Sequence, residues 1–137
     1  MTTIRTTWLG KPLPKGRPRV VNGRAHTDAK TRAYESKLRS HFAAVRQSAV
    51  GDVGVVIELR FSSGVHGDVD NCAKAILDAA QPWLFLNDKA VRSLHVWRRW
   101  ADETHPEGFE LTVCPLADDP MPKKKRVKRA AAREETR

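Results

Sequence analysis

The chain has 137 residues, a formal net charge of +9 and a pI near 10.1, with 40% apolar residues and only two cysteines. That length gives one domain, or one domain plus a tail, and it holds no run of about eighteen apolar residues that would span a membrane. The N-terminus lacks the apolar stretch of a secretory signal, and Cys72 and Cys114 fit no C-x-x-C pattern, so a cytoplasmic setting with reduced thiols is expected.

Residues 3–9 read as a short strand with Ile4, Thr6 and Trp8 on one face. Residues 10–26 read as a stiff, extended loop. It holds Pro12, Pro14 and Pro18 and five cations (Lys11, Lys15, Arg17, Arg19, Arg24) with no acid. Thr27 is placed to cap a helix running to about residue 48, with Tyr34, Leu38, Phe42 and Val45 inward. Strict alternation of Val53, Val55, Ile57, Leu59 and Phe61 makes 53–61 the clearest strand. After a glycine-bounded loop, a second helix runs from about Asp68 to Ala80 and stops at Pro82. Residues 90–100 and 109–113 read as two further strands, expected to pair as a hairpin through the turn at 101–108. From residue 118 the composition shifts to a flexible basic tail. Residues 121–137 alone carry a net +6, including Lys123, Lys124, Lys125 and Arg126. The expected division is a domain over 1–117 and a tail over 118–137. Adjacent strands and two helices predict an α+β fold (mixed α/β). Two basic clusters point to a polyanionic partner, nucleic acid first.

The stretch GDVDNCAK, residues 67–74, raises the question of chemistry. Asp68 at the helix start and Asp70 in its first turn suit the helix dipole, and Asp70 with Lys74 makes an i,i+4 pair. Taken alone, this explains the acids as structural. A third acid, Asp88, stands just before the next strand. Asp68, Asp70 and Asp88 together would offer hard oxygen ligands to Mg²⁺ or Mn²⁺. A metal there would activate water and offset the charge of a phosphate under attack. Lys74 would hold the phosphate or its leaving oxygen. Asn71 would orient a carboxylate or a water, and Asp78 would support from one turn beyond. Lys11, Lys15, Arg17 and Arg19 would grip phosphates beside the site.

The pattern G-D-x-D-N-x-x-K-A-x-x-D-A, followed by an N-D pair, resembles the RusA family of Holliday junction resolvases. The KPLPKGRPR loop, the following T…YE helix and the N-D-x-x-V strand match as well, over roughly residues 8–113. The resemblance implies a homodimeric, Mg²⁺- or Mn²⁺-dependent endonuclease cutting four-way DNA junctions, with no small-molecule cofactor. It also implies a mixed sheet packed by two helices, and a bacterial or phage source. It makes Asp68, Asp70 and Asp88 the catalytic acids and Lys74 the essential lysine. Family members often carry two aspartates at the last position, where this chain has Asn87 before Asp88. Two symmetric cuts need two sites, which a two-fold dimer supplies. Trp97 and Trp100 are candidates for its interface, although strand aromatics more often lie in the core. Two other functions fit the residues: a noncatalytic branched-DNA binder, and a nuclease acting on flaps, forks or RNA.

Overall fold

The computed structural model describes residues 2–15, 19–26, 29–64 and 68–116. Nine short elements follow one another among these residues. They are strands β1 (Ile4–Leu9), β2 (Arg19–Val21) and β3 (Arg24–His26), helix α1 (Ala29–Val45), strand β4 (Val53–Phe61), helix α2 (Val69–Ala80), a 3-10 turn (Asp88–Ala90), and strands β5 (Val91–Trp100) and β6 (Gly108–Pro115). The fold is α+β: a four-stranded mixed sheet in the order β1-β6-β4-β5, two helices, and a separate β2-β3 hairpin.

Strand β4 lies inside the sheet because its side chains allow nothing else. Val53, Val55, Ile57, Leu59 and Phe61 are each at most 1% exposed. On one edge they align with Val113, Leu111 and Phe109 of antiparallel β6, which align in turn with Ile4, Thr6 and Trp8 of β1. On the other edge β5 runs parallel to β4, with Val55 beside Leu94 and Ile57 beside Val96. A parallel neighbour requires a crossover, and α2 supplies it. Helix α1 adds Tyr34, Leu38 and Phe42 to the same core, and α2 adds Cys72, Ala73, Ala75, Ile76, Ala79 and Ala80. The alanines let α2 lie close over the sheet.

Two expectations fail here. Strands β5 and β6 do not form a hairpin; β4 stands between them. A hairpin would leave β4 with one neighbour and would break the apolar match between β4 and β6. Residues 19–26 are likewise no extended loop. They form the β2-β3 hairpin, turned at Asn22 and Gly23, whose φ values of 52° and 74° are those of a type I′ turn. Helix α1 also ends earlier than its pattern suggests, at Val45, where Arg46 takes φ 55°. Residues 27–28 lie outside the described set, as does the basic tail.

The face of the sheet away from the helices carries a ladder of ion pairs across all four strands. Arg5 meets Glu110 at 3.6 Å, Arg60 meets Glu110 at 3.4 Å and Glu58 at 3.1 Å, and Arg99 meets Glu58 at 3.7 Å and Asp102 at 3.0 Å. Arg60 is 5% exposed, so two carboxylates on one buried guanidinium are needed to offset its lost hydration. Trp97 and Trp100, by contrast with a core role, are 39% and 61% exposed on the outer strand.

Gly108 begins β6 at φ +152°, where a Cβ would fall 1.8 Å from the Trp8 carbonyl oxygen. Gly108→Ala is expected to cost at least about 3 kcal/mol in chemical denaturation, because main chain must move. Gly51→Ala is the control. Its φ of +79° has open space around it, so it should lose only about 1–2 kcal/mol.

Candidate functional site

Strand β4 hands the chain to α2 through a loop fixed at its start. The Glu107 carboxylate accepts from the Ser62 backbone N–H at 2.9 Å and from the Ser62 hydroxyl at 2.6 Å. These bonds hold the Glu107 acid below its usual pKa range, with the nearby Lys11 charge as a smaller cause. Asp68 then occupies the N-cap position of α2 with φ −80° and ψ 152°, yet its side chain makes no capping bond. Asp70, in the first turn, accepts among the described residues only from the adjacent Asn71 N–H, at 3.0 Å. The i,i+4 spacing predicts an ion pair between Asp70 and Lys74, and none forms. Both side chains stay exposed.

Helical spacing places Asp70, Lys74, Leu77 and Asp78 along one side of α2. That side and the first half of β5 enclose an open groove of about 800 Å³, which Asp88, Arg92 and Ser93 also line. Asp68 stands at its end, outside the lining. Asn71 is outside the lining too, and its backbone carbonyl accepts the Lys15 backbone N–H at 3.0 Å.

Asp88 belongs to the far end of the groove. The Gln81 amide nitrogen donates to Asp88 Oδ1, and also to the Leu77 carbonyl at 3.3 Å. Asn87 caps the 3-10 turn, its side-chain oxygen accepting from the Lys89 N–H at 3.0 Å. Gln81 sits three helical turns from Asp70, about 16 Å along the axis. Among the described residues no three His, Cys, Asp or Glu side chains come together to hold a metal ion. The groove thus unites Asp70, Lys74, Asp78 and Asp88 on one surface, but the acids fall into two groups. Gln81 was not singled out in the sequence. Its only signal there is a long amide closing the helix seven residues before Asp88.

The Cys72 thiol is pushed up to about 11, by burial first and then by the charges of Asp68 and Asp70, with Arg98 acting in the opposite sense. Two uncapped, hard carboxylates at one helix end fit a hard divalent cation in donor chemistry, with Asp88 too distant in the same chain to complete the set.

The basic loop divides. Lys15 Nζ lies 2.8 Å from Glu35 Oε1 and 3.2 Å from Asp78 Oδ2, bridging α1 to α2. Burial works to lower the Lys15 pKa, and the two carboxylates outweigh it, so the ammonium is held above its ordinary value. Asp78, placed by sequence as a supporting acid, is engaged by Lys15 and not by Lys74. Lys11 makes no ion pair among the described residues. Arg17 and the tail cations Lys123, Lys124, Lys125 and Arg126 lie outside the described residues, as does the side chain of Arg19.

The family model for endodeoxyribonuclease RusA matches residues 10–113. No curated protein matches the chain.

Lys15→Met should lower stability by roughly 1–3 kcal/mol, because Glu35 and Asp78 lose their shared cation. The salt dependence of DNA binding should stay as in the wild type if Lys15 is a latch. A slope shallower by about one unit would instead mark Lys15 as a phosphate ligand.

Proposed function

The chain belongs to the RusA family of endodeoxyribonucleases, hydrolases that resolve crossover junctions in DNA, and from that premise we propose a divalent-metal-dependent homodimer that cuts four-way junctions by paired, symmetric phosphodiester hydrolysis. The observation that carries this reading is the set of charges left unused by the fold. Asp68, Asp70 and Lys74 line the start of α2 with no ion pair among the described residues.

Asp68, Asp70 and Asp88 would hold Mg²⁺ or Mn²⁺, which when bound supplies Lewis acidity toward the scissile phosphate and its attacking water. Lys74 offsets the charge that builds on the phosphate and its leaving oxygen. Gln81 aims Asp88 by its amide hydrogen bond. Lys11, with Arg17 and Arg19, holds the arms of the junction beside the groove, and the tail cations Lys123, Lys124, Lys125 and Arg126 add sequence-independent affinity. No helix among the described residues is long and apolar enough to cross a membrane. The cytoplasm of a bacterial host, where a phage or prophage product would meet junctions, is the expected setting.

The separation of the acids gives the dimer a chemical purpose. Strand β5 is an outer strand ten residues long, and it carries the exposed Leu94, Trp97 and Trp100. Such an edge is usually covered. Two-fold, antiparallel pairing of β5 with its copy would bring the Asp88 end of one groove toward the Asp68–Asp70 end of the other. Each metal site would then draw acids from both subunits, and a monomer would hold none.

Asp70→Asn and Asp88→Asn are each expected to abolish junction cleavage while leaving junction binding intact. Mixing the two variants and allowing subunit exchange should restore nicking, because one of the two shared sites would then carry no substitution. Failure to recover activity in exchanged dimers would place each site within one subunit. Equal cutting of plain duplex by the wild type would overturn junction selectivity.

Truncation after residue 118 should weaken binding and flatten its salt slope, by about 0.9 for each phosphate that the tail no longer neutralises. An unchanged slope would show the tail to be idle.

A further inference from the structure

Among the sheet arginines whose side chains are described, Arg5, Arg60, Arg92 and Arg99 each lie within ion-pair distance of a carboxylate. Arg98 does not. It is exposed, and it stands next in sequence to Arg99, which has two carboxylate partners. The difference follows from the pleat. Arg99 pairs in register with Arg60 and points to the ladder face, whereas Arg98 is in register with Leu59, a core residue on the helix face. Arg98 therefore leaves β5 on the side that α2 covers. It also does so near the right end of the strand. Trp100 pairs with Phe61, the last residue of β4, from which the chain turns back to start α2 at Asp68. Arg98 makes no ion pair with either acid at that end.

We propose that Arg98 is a phosphate-binding residue of the cleavage site, gripping the DNA strand beside the phosphate that Lys74 attends. The inference rests on the nuclease reading above and adds a residue to it. A planar guanidinium suits a phosphate, to which it donates two parallel N–H bonds, and its weak hydration lowers the cost of leaving water. Lys74 on α2 and Arg98 on β5 stand on two different elements, toward the end of the sheet where Asp68 and Asp70 start the helix. A strand crossing that end would thus be held from both elements. An arginine that served only as counter-charge to Asp68 and Asp70 would lie in contact with one of them.

The test uses full-length Arg98→Gln and Arg98→Lys. Affinity for a labelled four-way junction is measured over a salt series in EDTA, and single-turnover cleavage over a Mg²⁺ series. Arg98→Gln should lower the salt slope by about one unit, the share of a single phosphate, and slow cleavage tenfold or more at saturating Mg²⁺. Arg98→Lys should restore the slope but only part of the rate, since an ammonium cannot bond in parallel. Thermal denaturation should be unchanged, as the side chain is exposed and has no ion pair among the described residues. A wild-type slope and rate in Arg98→Gln would overturn the proposal. So would a variant whose sole change is a shifted Mg²⁺ requirement, which would make Arg98 a counter-charge to the acids. If the wild type fails to cut branched DNA at all, the nuclease reading falls, and the slope on whatever DNA it binds still decides whether Arg98 meets a phosphate.

Discussion

Strand β4 is hydrogen-bonded on both edges, to β6 on one side and β5 on the other, and the groove hangs from that arrangement. Its parallel neighbour can be reached only by a crossover, so α2 must run back over the sheet from the end where β4 stops to the end where β5 begins. The groove is the space between this returning helix and the outer strand. Its two ends inherit different chemistry for the same reason. The helix start carries Asp68 and Asp70, whereas the helix end carries Gln81 and, through it, Asp88.

The joints of this frame are tied by a few polar side chains. Glu107 receives Ser62 at the exit of β4, and its carbonyl accepts the Gly10 N–H at 3.1 Å, where the basic loop departs from β1. Lys15 then lashes the end of that loop to both helices. The loop is thus fixed at Gly10 and again at Lys15, with Lys11 between the two anchors. Rigid anchoring of a cationic loop reduces what must be ordered when a ligand arrives.

Much of this was legible in the amino-acid order, and the rest failed for identifiable reasons. The period-two run at 53–61 and the apolar spacing of Tyr34, Leu38 and Phe42 specify elements directly, because burial acts on individual residues. Pairing is not written that way. Alternation tells which face of β5 and β6 is apolar but not which neighbour each takes, so two consecutive strands look like a hairpin until the needs of β4 are weighed. The Asn22-Gly23 turn was readable and was masked by the prolines before it. GDVDNCAK does mark where α2 starts, but its i,i+4 spacing misleads. Spacing gives proximity, whereas exposure to water decides whether an ion pair closes. The distance from Asp70 to Asp88 has no sequence signature, since it depends on the direction in which α2 returns.

The ion-pair ladder has a consequence for how the protein meets a polyanion. Its three arginines, Arg5, Arg60 and Arg99, are matched by Glu58, Glu110 and Asp102, so that face offers an approaching duplex almost no attraction. The helix side keeps Lys30, Arg32, Lys37 and Arg39 of α1 at least partly in water, together with Lys74 and Arg98. A basic protein with one electrically silent face behaves as a weather vane in the field of DNA, turning its basic side forward during diffusion, before any atoms touch.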